Sequence, residues 1–234
     1  MSKYRFPSIA IDDFFENPDK IRKFALEQEF MDSADPKWKD LTKWDNYGKW
    51  PGKRTQHIAV LDNDLYNRIC AKFFCTFFNP IAEPKLKWEV QMHFQISDPY
   101  FENSDLNRGW VHHDGNCLAG LIYLTPDIDS SCGTTIWDIK EGVEGDETHL
   151  KIKKDLYAGK SVDEDECKKS LDLVYSQYEK KIEFKNKYNT LIAYDGTQYH
   201  ALTNMAKERL TLVFFVTKLT GTPYPGQKLS AIQL

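Results

Sequence analysis

Residues 110–117 read WVHHDGNC, two histidines and an aspartate beside a glycine. On an extended backbone side chains alternate, so Trp110, His112 and Asp114 share one face while Val111 and His113 take the other. His112 and Asp114 then offer one imidazole nitrogen and one carboxylate oxygen to a single ion, and a third ligand has to come from elsewhere. The chain has six histidines, at 57, 93, 112, 113, 149 and 200. His200 follows the strand-and-turn pattern NTLIAYDGTQYH and precedes an apolar run that opens at Arg209. Two histidines and a carboxylate on one side of an octahedral ion leave three positions for a bidentate cosubstrate and dioxygen. The expected metal ligands are therefore His112, Asp114 and His200, with His113 facing away in a supporting role.

Arg209 strengthens this reading. In ERLTLVFFVT every residue from Leu210 to Val216 except Thr211 is apolar, which predicts a strand buried on both faces with a charge at its start. A planar guanidinium suits a carboxylate held by two hydrogen bonds, and Thr211 would share its face. An internal salt bridge to an Asp or Glu is the other role open to it. His93, between Met92 and Phe94, either lines the same pocket or is a hydrogen-bonded core histidine. Tyr123 in LIYL either donates to the cosubstrate or packs as an ordinary core tyrosine. The stretch Trp50–Arg54 either touches substrate or simply packs on the sheet.

The elements that must position these groups fall into two halves. Asn17 as N-cap, Pro18 at the first helical position, and Ile21, Phe24 and Ala25 on one stripe predict a helix. Leu65, Ile69, Phe73 and Phe77 recur every four residues and predict a second from Asp64 to Phe78, stopped by Asn79 and Pro80. WDNYGKWPGKRTQ between them reads as an ordered loop. After residue 85, LKWEVQMHFQIS, NCLAGLIYLTP, TTIWDI, NTLIAYD and RLTLVFFVTKL predict short strands. A charged insertion, about 141–187, interrupts them. It is expected outside the sheet as a loop with one helix, entered through a capping box from Ser161 to Glu164. The whole of 1–234 reads as a single domain.

Composition removes several function classes. A net charge of −4 with dispersed Lys and Arg offers no basic face, so nucleic acid is not an expected partner. The opening MSKYRFPSIAIDDFF lacks the apolar run of a signal peptide, and no stretch has the length of a membrane span. Five cysteines without CxxC spacing suggest reduced thiols rather than a disulfide framework or a zinc ribbon. A cytoplasmic location follows.

In sequence order, HHD at 112–114, CGTTIW at 132–137, His200 and Arg209 resemble the Fe(II)- and 2-oxoglutarate-dependent oxygenases, in the branch that includes prolyl 4-hydroxylases. CGTTIW stands against that branch's Gly-Gly-x-Thr-x-Phe-like segment, and IDDFFENPDKIRKFAL is similar to its strand-and-helix lead-in. The resemblance implies a mainly β fold with flanking helices, a double-stranded β-helix (jelly roll) with N-terminal helices packed on the sheet. It implies Fe(II) on His112, Asp114 and His200, and 2-oxoglutarate with its distal carboxylate on Arg209, helped by Thr211. It also implies hydroxylation of an unactivated C–H bond of a peptide or small molecule, with release of succinate and CO2. The prolyl branch usually carries a lysine where Arg209 stands and a tyrosine near EVQMHF, where this chain has His93 or Phe94. Nucleic-acid demethylases carry a second arginine six residues after the first, where Phe215 stands here, and the halogenases lack the carboxylate that Asp114 retains. Two other classes use the same residues differently. One is a zinc-dependent hydrolase with the same three ligands. The other is a non-catalytic jelly-roll protein that binds a partner or ligand through the loop at 43–56 and the insertion.

Overall fold

A computed structural model of the chain describes residues 6–33, 35–37, 50–78, 86–102, 104–115, 117–143, 150–205 and 207–220. Strand β1 (Ile9–Ile11) leads into α1 (Pro18–Leu26), whose first turn is closed by Asn17 accepting from the Lys20 amide at 3.0 Å. Two short strands follow, β2 (Met31–Asp32) and β3 (Lys53–Arg54), then one helical turn, α2 (Ile58–Leu61). Asp62 caps α3 (Asn63–Phe77), accepting from the Leu65 amide at 2.9 Å. Beyond it come β4 (Lys87–Ser97), β5 (Leu118–Tyr123) and β6 (Thr134–Ile139), then helices α4 (Leu150–Tyr157) and α5 (Glu164–Ser176). The chain closes with β7 (Tyr178–Phe184), β8 (Leu191–Asp195), β9 (Tyr199–Leu202) and β10 (Arg209–Thr220). The loop residues 44–49, the stop at 79–80 and the insertion residues 144–149 lie outside the described residues.

The strands form two antiparallel sheets: seven strands in the order β1-β8-β5-β10-β4-β3-β2, and three in the order β7-β6-β9. The period-two pattern of β10 sorts its side chains between two layers. Leu210, Leu212, Phe214 and Val216 pack outward against Ile69, Phe73 and Phe77 of α3, with the Phe73 and Phe214 rings 4.7 Å apart. Val213 and Phe215 point inward, toward Ile136 of β6 and Ile182 of β7. Burial of β10 on both faces is what its unbroken apolar run predicts. The result is the double-sheet jelly roll, with its N-terminal helices on the outer face of the larger sheet.

The charged insertion differs from its expectation. It supplies two helices and the edge strand β7, and it is not confined to the outside of the sheet. Cys167, Leu171 and Val174 of α5 join Tyr157 of α4 in a buried cluster with Trp110, Val111 and Ala201, against Trp137 and Ile139 on the outer side of β6. The α5 cap is Asp163, which accepts from the Glu166 amide at 3.1 Å, rather than Ser161. An aspartate two residues later offers an equally good acceptor, and the three acidic residues of the first turn suit the helix dipole there. Among the described residues no helix is long and apolar enough to cross a membrane.

Candidate metal centre

Residues 109–115 are not a regular strand, yet they run beside β9 as one. Gly109 donates to the Leu202 carbonyl at 2.9 Å, and the amides of Asp114 and Gly115 both donate to Gly196 at 3.1 Å. His112 and His200 form an isolated antiparallel bridge between these contacts. The extended backbone at the bridge makes the alternation argument hold locally. The ring centroids of His112 and His200 are 4.5 Å apart, and one ligand atom from each of His112, Asp114 and His200 lies within 4.8 Å of the others.

Hydrogen bonding fixes which atoms face the centre. His112 Nδ1 lies 2.8 Å from the Trp110 carbonyl and His200 Nδ1 lies 3.1 Å from the Gln198 carbonyl. A carbonyl can only accept, so each Nδ1 carries a proton and Nε2 is the ring atom that a neutral imidazole would offer to a metal. Those Nε2 atoms lie 3.8 Å and 3.4 Å from the two Asp114 carboxylate oxygens. Asp114 Oδ2 is shut off from solvent and accepts no hydrogen bond. Burial, with Lys153 and His200 nearby, holds the His112 pKa well below its ordinary value, which keeps the ring neutral. Electron-pair donors facing one another in this way repel unless a cation lies between them, and backbone carbonyls behind both imidazoles are the usual support for a metal-binding tautomer. The donor set suits a divalent first-row ion with open positions.

Arg209 sits in the same cavity, which has a volume of about 490 Å³. Its guanidinium is buried, and one Nη donates to the carbonyls of Cys132 and Gly133 at 3.1 and 3.4 Å. Its Nε has no acceptor, and among the described residues no carboxylate pairs with it. Burial lowers its pKa, against the pull of Tyr123, whose ring centroid lies 5.8 Å from the guanidinium carbon. Among the described residues the salt-bridge alternative therefore finds no carboxylate, and a buried cation so placed is what an anionic ligand would complete. Gly133 makes the carbonyl pair possible: a Cβ there would meet the Phe184 carbonyl oxygen at 1.9 Å, so only glycine lets β7 close against this backbone.

The other singled-out residues separate. Thr211 is fully buried on the Arg209 face, its hydroxyl 3.5 Å from the Gln95 carbonyl. Tyr123 is fully buried and donates to Thr134 at 3.1 Å, and Thr134 lines the cavity. His93 does not line the cavity. Its Nδ1 is bound to the Thr55 carbonyl at 3.0 Å, and burial, with Arg54 and His57 adding repulsion, pushes its pKa down to about 3. It is the hydrogen-bonded core histidine. His113 is exposed, with its ring against Tyr199. Trp50, Pro51 and Arg54 do line the cavity, and so does Lys153, which sequence reasoning missed. Lys153 comes from α4, where the lysine-rich pattern read as solvated surface. Burial lowers its pKa to about 8, against the attraction of Asp114.

No protein-family model and no curated protein matches the sequence. Among solved structures, the chain is similar to a prolyl hydroxylase from Trichoplax adhaerens, solved with a fragment of the hypoxia inducible factor oxygen degradation domain. The identity is 8%, covering 90% of this chain and 83% of that one, with a TM-score of 0.50. A prolyl-4-hydroxylase from Pseudomonas putida aligns at 10% identity over 91% of this chain and 88% of that one, with a TM-score of 0.40. The non-heme alpha-ketoglutarate-dependent epimerase SnoN from nogalamycin biosynthesis aligns at 12% identity over 94% and 81%, with a TM-score of 0.45. The first likeness is one of fold, and it is the mainly β jelly roll with flanking helices that the sequence resemblance implies.

Proposed function

We propose that the chain is an Fe(II)- and 2-oxoglutarate-dependent dioxygenase that hydroxylates a C–H bond of a peptide or small molecule. The observation that carries this reading is one cavity holding both a His, Asp, His donor set and a buried arginine that no carboxylate among the described residues pairs. His112 and His200 would bind Fe(II) through Nε2 and Asp114 through its carboxylate. Arg209 would hold the distal carboxylate of 2-oxoglutarate, with Thr211 and Tyr123 shaping the wall behind it. When bound, the iron and its cosubstrate supply the oxidising power, with succinate and CO2 as coproducts. The protein's own part is positional: ligands fixed by backbone hydrogen bonds, a buried guanidinium to set the cosubstrate's direction, and apolar walls from Leu121, Val213 and Phe215 that limit water. The five cysteines are unpaired, which suits a reducing, cytoplasmic setting.

The test is anaerobic calorimetry of 2-oxoglutarate into protein loaded with Mn(II), followed by succinate measurement with Fe(II) under air. Metal-dependent binding and iron- and oxygen-dependent succinate are expected. Binding of Zn(II) with no affinity for 2-oxoglutarate would sink the proposal in favour of a zinc hydrolase.

A further inference from the structure

The proposed dioxygenase reading gives a role to the triad and to Arg209 but none to Lys153, the buried-side cation that the insertion brings to the same cavity. On α4, residues four apart share a face. Ile152, Leu156 and Tyr157 pack into the buried cluster around Trp110 and Val111, so the helix is seated by its apolar side. Lys153, one turn before Tyr157, is carried to the cavity wall with it, and both residues line the cavity. Lys153 is half-buried there, whereas Lys154 beside it is exposed. Among the described residues the Lys153 ammonium makes no hydrogen bond and no ion pair. Its ring contact is with Tyr157, whose centroid lies 5.6 Å from Nζ. The two arginines of the cavity differ in this respect. Arg54 is engaged by Gln95, to which its Nε donates at 2.7 Å, and Arg209 by the carbonyls of Cys132 and Gly133.

The charges around Lys153 place it within the cavity. Asp114 attracts its ammonium, and its own charge adds to the burial that keeps His112 neutral, so it stands on the His112 and Asp114 side of the centre. Asp114 is also the one carboxylate among the described lining residues. A divalent ion on the triad would take up that carboxylate, and the distal carboxylate of 2-oxoglutarate is assigned to Arg209. Loading the site would thus remove the attraction that Lys153 has now. It would leave an ammonium in low-dielectric surroundings, where an anionic partner counts for most.

We infer that Lys153 is a specificity-determining residue of this site: it receives a carboxylate of the substrate on the His112 and Asp114 side of the centre, which makes α4 part of the substrate site. An ammonium is a point charge with three rotatable donors, so it accepts the end of a flexible acid without the fixed geometry of a guanidinium fork. The carboxylate can belong to a small acid or to a peptide C-terminus, and a cavity of about 490 Å³ admits either end group.

This inference rests on the dioxygenase reading for calling the ligand a substrate, not for the contact that is tested. The probes are isocaproate beside isocaproamide, and one pentapeptide with a free or an amidated C-terminus. Ligand-observed NMR at neutral pH measures their affinities for wild type, Lys153→Met, Lys153→Arg and Lys154→Met, each loaded with diamagnetic Zn(II) and 2-oxoglutarate. The acid of at least one pair should bind wild type at least about tenfold tighter than its amide, the scale of one hydrogen bond to a charged group. That preference should vanish in Lys153→Met and persist in Lys153→Arg. It should change less than about threefold in Lys154→Met, which removes an equal but solvent-screened charge next door. The pair that shows it identifies the source of the carboxylate. A preference that survives in Lys153→Met, one that falls equally in Lys154→Met, or no preference at all, including no binding by any probe, overturns the inference and leaves Lys153 as a wall of the cavity. Weaker 2-oxoglutarate binding in Lys153→Met overturns it too, by giving Lys153 to the cosubstrate. If wild type fails to bind 2-oxoglutarate but keeps a Lys153-dependent acid preference with Zn(II) alone, the dioxygenase reading falls and this inference stands.

Discussion

His112 and His200 exchange both backbone hydrogen bonds, the His200 amide donating to the His112 carbonyl at 2.7 Å and the His112 amide to the His200 carbonyl at 3.1 Å. Two imidazoles of the proposed metal centre are therefore spaced by main chain, and neither ring is needed to hold the segments together. His112→Ala and His200→Ala should each weaken Mn(II) binding by two orders of magnitude or more while unfolding near the wild-type temperature. Asp114→Asn should do the same, whereas His113→Ala should stay within about threefold. Metal titration followed by Mn(II) paramagnetic resonance checks this, and a larger effect from His113 than from His112 would mean the other histidine is the ligand.

Arg209→Met separates cosubstrate from metal. A buried charge-assisted pair is worth about 2 to 5 kcal/mol, so 2-oxoglutarate should bind this variant at least about thirtyfold more weakly, with Mn(II) affinity unchanged. The thermal stabilisation that 2-oxoglutarate gives the wild type should vanish with it. The unliganded variant should melt within a few degrees of wild type, because it loses two hydrogen bonds to Cys132 and Gly133 but also sheds an uncompensated buried charge.

His93 sets a pH dependence of stability. Its folded-state pKa is depressed from 6.5 to about 3 by burial and by Arg54 and His57, so the unfolded chain takes up its proton first as the pH falls. The stabilising contribution is complete above pH 6.5 and is lost at about 1.4 kcal/mol per pH unit from there toward pH 3. His93→Gln can still donate to the Thr55 carbonyl without titrating. Between about pH 7.5 and pH 5, urea melts should show about 2 kcal/mol more acid destabilisation in wild type than in His93→Gln. Parallel curves would mean that His93 protonates without cost.

The insertion should prove necessary to the centre. Ser170 accepts from the Trp110 indole at 3.0 Å and Tyr175 donates to the Gly109 carbonyl at 2.7 Å, so α5 grips the chain immediately before His112. Leu171→Ala should cost about 2 to 5 kcal/mol as a buried truncation. Ser170→Ala combined with Tyr175→Phe should keep the fold and weaken Mn(II) binding several-fold. Calorimetric melts and metal titration of the same samples test both, and unchanged metal affinity in the double variant would show that α5 packs there without positioning the ligands.

The sequence made much of this visible where burial and pattern coincide. β4, β6 and β10 start where their β-branched and aromatic runs start, and α1 starts at the Asn17 and Pro18 signal. β7 was hidden because an edge strand with one solvated face, YEKKIEF, carries the charges of a surface loop. His93 was ambiguous for another reason. Its strand and face follow from alternation, but whether a ring on that face meets solvent or a carbonyl depends on Thr55, distant in sequence and brought over by β3. Arg209 could be read as an unmet charge, but that no carboxylate among the described residues meets it required the fold.

The backbone bridge between His112 and His200 closes a loop of roughly 90 residues that contains the whole insertion. The entropy of closing a loop of that length predicts that the bridge forms after the local pairing of β6 with β7. Before closure the chain holds His112 and Asp114 near one another but not His200, so only two of the three proposed ligands are together. A metal is therefore not expected to act as a folding template for this protein. It meets a finished site, and its uptake should follow simple second-order kinetics with no slow conformational phase.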